Sequence, residues 1–195
     1  RQASVDSIQA QVESALSRVA NAPIKVVCAG RTDAGVHASH QVVHFDTEAI
    51  RPEQAWIFGV THALPSDISI VSAQTVSSEF HARFSALSRS YRYLILNRST
   101  RSALHYKKVT WWRVPLSEQA MHEAGQHLIG EHDFSSFRAR QCESHSPVRR
   151  ISSLCVQRQG DFVYVDITAN AFLHHMVRNI VGTLLPVGMG EQTSD

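Results

Sequence analysis

A single carboxylate framed by two glycines stands out in Gly30-Arg31-Thr32-Asp33-Ala34-Gly35-Val36-His37-Ala38. Glycine tolerates backbone angles and close approaches that other residues resist. Asp33 is therefore expected on a shaped loop, with the Arg31 cation beside it. A carboxylate presented in this way serves as a nucleophile or as a general base. The same residue types also build ordinary turns with an Asx hydrogen bond, so the pattern by itself leaves both readings open.

Two further residues carry chemical potential. Arg178 lies within Phe172–Leu185, a run apolar nearly all round. A cation there is costly without a partner, although a long stem can also rest on a core with its head in water. Tyr91 lies in Arg89-Ser90-Tyr91-Arg92-Tyr93, where a ring either packs in a sheet or stacks on a nucleobase. Arg83, Arg89, Arg92, Arg138, Arg140, Arg149 and Arg150, with Lys107 and Lys108, are candidate phosphate contacts.

A hydrolytic metal centre is the rival chemistry. His37, His40 and His44, with the His174-His175 pair, would supply its ligands. His40 and His44 share a strand face, but four strand residues span about 13 Å, too far for one zinc ion without a bend. No HExxH or CxxC string occurs.

The surrounding pattern says which elements must position these groups. Val5, Ile8, Val12, Ala15, Leu16 and Val19 mark one helical face over 5–19. Strands are expected over 24–29 and 40–46, with Gln41, Val43 and Phe45 on one face of the second. Pro52 can open a helix running toward Leu64, and 68–76 reads as a strand. Beyond this lie strands over 89–96 and 109–114. A helix capped by Ser117 and stopping at Gly130 follows. A hairpin of 151–156 and 162–167 turns around Gln159-Gly160-Asp161, and a buried helix covers 172–185.

Hydrophobic residues make up 43% and charged residues 18% of the 195, which fits a globular chain and excludes a disordered one. A formal net charge of +2 is weak support for a nucleic-acid partner, so local clusters must decide. Cys28, Cys142 and Cys155 form no close sequence pair and read as reduced thiols of a cytoplasmic protein. There is no apolar run fit to span a bilayer.

The string GRTDAGVHA resembles the catalytic motif of the tRNA pseudouridine synthase A (TruA) family. His81-Ala82-Arg83-Phe84-Ser85-Ala86 through Tyr93 is similar to that family's second motif. Ala171 through Gly182, containing His174-His175-Met176-Val177-Arg178-Asn179, is similar to its third. The resemblance extends over nearly all the chain and departs at the ends. The family's first strand and Trp-Gln-Arg-Gln-like segment are not represented before Arg1-Gln2, nor its usual C-terminal end after Asp195.

The resemblance implies an α+β fold of two ferredoxin-like subdomains whose antiparallel sheets flank a central catalytic cleft. Residues 1–79 would carry the Asp33 loop, and 80–195 the Tyr and Arg of the site. It implies isomerisation of uridine to pseudouridine at positions 38, 39 and 40 of the tRNA anticodon arm. Asp33 would break the ribose–base bond, Arg178 would pair with it, and Tyr91 would hold the base. Arg31, Arg83, Arg89, Arg138 and Arg140 would bind substrate with Tyr91. No cofactor or metal is expected; a homodimer and a cytoplasmic location are. The alternative is a non-catalytic RNA-binding module, although the RRM signature is absent.

Overall fold

Ser7 opens the first helix by accepting a hydrogen bond from the Ala10 amide at 3.3 Å, in a computed structural model that describes residues 7–142 and 144–193. The chain divides into two compact units, Arg1–Ala86 and Leu87–Asp195. Among the described residues there are two sheets and four helices, a mixed α+β build.

In the first unit, α1 (Ile8–Ala20) ends at Asn21 in the left-handed conformation, φ 55°. Its expected stripe buries Val12, Ala15 and Leu16. Ile8 departs from that stripe at 59% exposed, and Val5 lies outside the described residues. Glu13, 6% exposed, sits on the same helix. Its Oε1 accepts from Gln9 Nε2 at 3.0 Å and from the Val26 amide at 3.3 Å, and Lys25 Nζ lies 3.6 Å from Oε2. Burial alone would push the carboxyl up; the hydrogen bonds from Gln9 and Val26 and the Lys25 charge outweigh it and hold the pKa below its ordinary value.

The strands expected over 24–29 and 40–46 contract to β1 (Val27–Cys28) and β2 (Val43–His44), an antiparallel pair. The reason is a competition for donors. The Ile24 amide goes to Ser17 Oγ at 2.8 Å and the Val26 amide to Glu13, so both bind α1 instead of a neighbouring strand. Val43 and Phe45 still face the core, as their alternation predicts. The helix expected after Pro52 forms as a wide turn, Ala55–Gly59, leading into α2 (Val60–Ala63). Residues 68–76 form no strand ladder: the Ile70 amide donates to Thr61 Oγ1 at 3.0 Å, while Ile68 and Ile70 pack on the core.

The second unit is a five-stranded sheet of β3 (Arg89–Asn97), β4 (Thr110–Trp112), β5 (Gly130–Asp133), β6 (Val148–Gln159) and β7 (Phe162–Ala169), ordered β4-β3-β7-β6-β5. Its pairings are antiparallel except β3 with β4, which corrects the expectation of a wholly antiparallel sheet. The connection over 98–109 supplies the roughly dozen residues that a parallel return needs. In β7, Val163, Val165, Ile167 and Ala169 alternate inward. The expected hairpin turn is present, with Gly160 at φ 58°.

Two helices cover this sheet. α3 (Glu118–Gln126) starts at Ser117, whose Oγ accepts from the Ala120 amide at 3.2 Å, and ends short of Gly130, which instead begins β5 at φ 109°. α4 (Met176–Gly188) starts later than expected because His175 adopts φ 62° immediately before it. Met176, Ile180, Val181, Leu184 and Val187 are buried on α4, and a side chain such as Ile180 contributes about 1.5–3 kcal/mol through burial. The opposite side is exposed, so the helix is amphipathic and not apolar all round. No helix among the described residues is long and apolar enough to cross a membrane.

Candidate active site

Asp33 occupies the connection between β1 and β2. The Ala29 amide donates to the Val42 carbonyl at 2.9 Å, and Gln41 Nε2 donates to the Gly30 carbonyl at 3.0 Å, so the neck of the loop is closed from both sides. Within it, the Val36 amide turns back to the Asp33 carbonyl at 3.1 Å, and Gly35 takes φ 83°. A side chain at that angle would be strained, which explains the second glycine of the string. The loop leaves Asp33 half-buried and Arg31 exposed. Arg83, in the same unit, is exposed, and its guanidinium lies 5.7 Å from the Phe84 ring centroid.

In the second unit, Tyr91 stands opposite Ile167 in the β3–β7 ladder. Its ring meets Phe172 edge-on, centroids 5.1 Å apart and planes at 89°. Two residues earlier on the strand, Arg89 Nη1 donates to the Asn170 carbonyl at 2.9 Å. Arg178 is on the exposed side of α4. Its neighbour Asn179 donates from Nδ2 to the Phe137 carbonyl at 2.8 Å, and the Ala139 amide donates to the His174 carbonyl at 2.9 Å. These bonds fasten the segment bearing Arg138 and Arg140 to the start of α4. The second unit thus brings Tyr91, Arg89 and the Arg138 segment to the 170–175 connection, and Arg178 follows that connection on α4; Arg140 is exposed.

That cluster contains a perturbed thiol. Burial would raise the pKa of Cys142, but hydrogen bonds from the His174 and Ser144 amides and the Arg138 and Arg149 charges bring it below its ordinary value.

Some candidate phosphate contacts have internal work instead. Arg92 makes a forked pair with Asp166, Nε–Oδ1 2.7 Å and Nη2–Oδ2 2.9 Å, and lies over the Tyr164 ring at 5.2 Å. Arg149 donates to the Ser146 and Val148 carbonyls and to Ser144 Oγ, and Arg150 pairs with Glu131 at 3.3 Å. Among the histidines considered as ligands, His44 Nδ1 accepts the Ala82 amide at 3.1 Å.

Three residues that contact the candidate groups or their segment were not singled out by chemical type. Phe172 orients Tyr91, Asn179 ties α4 to the arginine segment, and Asn170 Oδ1 accepts the amides of Arg150 and Ala171 at 3.0 and 2.8 Å. Phe172 and Asn179 lie in the same string as Arg178, and Asn170 immediately precedes that string.

The family model described as tRNA pseudouridine synthase matches residues 1–85 and 124–195. A protein named tRNA pseudouridine synthase A from Shewanella woodyi is 57% identical over 195 residues, all of this chain and 75% of the relative. A namesake from Actinobacillus pleuropneumoniae is 58% identical over 192 residues, 98% of this chain and 73% of the relative. One from Methylococcus capsulatus is 56% identical over 186 residues, 95% of this chain and 69% of the relative.

Proposed function

The chain belongs to the tRNA pseudouridine synthase family, and from that premise we propose that it isomerises uridine to pseudouridine in tRNA, at positions 38, 39 and 40 of the anticodon arm. The observation that carries the reading is the Asp33 loop. One carboxylate is held on a closed β1–β2 connection with a glycine at φ 83°, inside the first stretch matched by the family model.

The reaction breaks the bond between ribose C1′ and uracil N1 and forms one between C1′ and C5. The proton on C5 leaves and N1 gains one, so no electrons are exchanged and no water is consumed. Asp33 performs the first step, as a nucleophile at the sugar or as a base on a sugar proton; a carboxylate serves either role. The target base must leave its stack to reach it. Tyr91 then retains the freed uracil against its ring, and its hydroxyl assists removal of the C5 proton. The edge contact with Phe172 supports this assignment, since it braces the ring on one side.

Arg178 stabilises the charge of the site, and Arg31, Arg83, Arg89, Arg138 and Arg140 hold phosphates and the flipped nucleotide. The reading extends, through the family resemblance, to two ferredoxin-like subdomains, a homodimer in which one RNA touches both subunits, and a cytoplasmic location.

The decisive experiment incubates unmodified tRNA transcripts with the protein and maps pseudouridine in the product. New pseudouridine confined to positions 38–40 is expected. RNA that is bound but unchanged would leave only a binding module.

A further inference from the structure

From Phe80 through Ser117 the chain contains no carboxylate, and the latter part of that stretch carries Arg98, Arg101, Lys107, Lys108 and Arg113. All five belong to the connections flanking β4, beyond the end of β3 at Asn97. Tyr91 lies six residues back along the same strand, about 20 Å away at the usual rise per residue. This end of the sheet is separate from the gathering around residues 170–175.

The folded arrangement turns the charge run into a site. A groove of about 470 Å³ is lined by Asn97, Arg98, Ser99, Arg113, Leu116 and Arg158, so three guanidiniums border one cavity. Asn97 builds its floor. Its Nδ2 donates to the carbonyls of Trp112 and Val114 at 3.1 and 2.6 Å, and its Oδ1 accepts from the Leu116 amide at 3.0 Å and Arg158 Nη2 at 3.1 Å.

Two carboxylates offset part of this charge. Glu118 takes Arg158 Nε at 2.8 Å, and Asp161 takes Arg98 Nη1 at 3.4 Å. Arg101, Lys107, Lys108 and Arg113 are exposed, with no carboxylate partner among the described residues. Exposed rings are interleaved with them: Tyr106 is 70% and Trp111 42% exposed, and Lys107 Nζ sits 5.3 Å from the Tyr106 ring centroid. Arg113 on the groove without a carboxylate, the half-offset Arg98 and Arg158 beside it, and the exposed Arg101, Lys107 and Lys108 on the neighbouring connection, with aromatic faces among them, match a phosphodiester backbone with unstacked or terminal bases.

We infer that this end of the second unit is a separate RNA-binding surface, which takes backbone phosphates in the Arg98–Arg113–Arg158 groove and on the neighbouring exposed cations. The inference rests on the reading that the substrate is an RNA. The surface engages tRNA away from the nucleotide being isomerised, so it contributes to affinity and placement and makes no contact with reacting atoms.

The test compares the parent chain with an Arg101→Gln, Lys108→Gln, Arg113→Gln variant, by filter binding of an unmodified tRNA transcript over a range of salt concentrations. Each lost phosphate contact removes roughly 0.7–0.9 from the log–log salt slope, so a reduction of roughly 2 to 3 is expected, with weaker binding at fixed salt. If the triple variant fails to fold, Arg113→Gln alone is expected to lower the slope by roughly 0.7–0.9.

Parent-like slope and affinity in a folded variant overturn the inference. So does unchanged RNA binding with altered sedimentation of the protein, which would assign the surface to a protein contact. Failure of the parent to form pseudouridine overturns the proposed activity, while the slope comparison still decides the surface.

Discussion

Phe172 presents its edge contact to Tyr91 at 5.1 Å with the two planes 89° apart, so the ring proposed to hold the base is oriented by the segment that leads into α4. The pair joins a strand aromatic to the 170–175 connection, and Asn179 and His174 join that connection to the Arg138 segment. One short stretch of chain thereby fixes several of the proposed groups at once.

Phe172→Leu is expected to reduce turnover with little change in tRNA affinity. An edge-to-face pair contributes about 0.5–1.5 kcal/mol beyond area burial. If that energy holds the reactive attitude of Tyr91, the loss in kcat is between about twofold and tenfold. Steady-state kinetics on a tRNA transcript checks it. A raised KM with unchanged kcat would assign Phe172 to binding alone.

The first unit contains an acid-sensitive anchor. Glu13 has its native pKa held below the ordinary 4.5 by Gln9, the Val26 amide and Lys25. As pH falls, the unfolded chain takes up this proton first. The stabilisation is therefore whole above pH 4.5 and is lost as pH drops through the lower native value. Glu13→Gln should show a shallower loss of stability in that acid window. Glu13→Ala strands the Val26 amide and should cost about 1–3 kcal/mol at neutral pH. Urea denaturation across pH measures both.

Gly188, the last residue of α4, sits in close contact with α3 and Leu116. A Cβ there would lie 2.8 Å from both Met121 Cγ and Sδ and 3.2 Å from Leu116 Cδ2. Met121 is fully buried, so its side chain can make room only by repacking among its core neighbours. Gly188→Ala is expected to destabilise the second unit by about 1–3 kcal/mol, read by thermal or chemical denaturation. Unchanged stability would mean that the helix end shifts freely.

The chemical types were legible in the sequence, and so were the elements with strong periodicity. The β7 alternation, the Ser117 cap and the glycine turn of the hairpin follow from local rules. The short first-unit strands were not legible, because side chains on α1 compete for the amides of Ile24 and Val26 across the chain. The start of α4 was hidden for another reason: the apolar run continues through residues 172–175, and only the left-handed angle of His175 interrupts the helix. The internal partners of Arg92 and Arg150 were equally hidden, since Asp166 and Glu131 are strand neighbours and not sequence neighbours.

Asp33 and Arg178 provide the sharpest test of the proposed activity. Asp33→Asn retains the shape of the side chain and removes the carboxylate, so turnover should fall to a small residual rate while tRNA binding remains largely intact. A group required only for the chemical step lowers kcat without weakening the bound ground state. Arg178→Met retains much of the stem and removes the charge, and turnover should fall by at least about a hundredfold, the scale on which lost electrostatic stabilisation is felt. If the two residues serve one transition state, their losses are not independent. With the carboxylate already gone, removing the cation has little left to impair, so the double variant should be no slower than Asp33→Asn alone. Single-turnover assays with excess enzyme, together with tRNA binding at one salt concentration, separate chemistry from affinity. Full additivity would show that the residues act in separate steps, and product formation near the parent rate by Asp33→Asn would remove Asp33 from the mechanism.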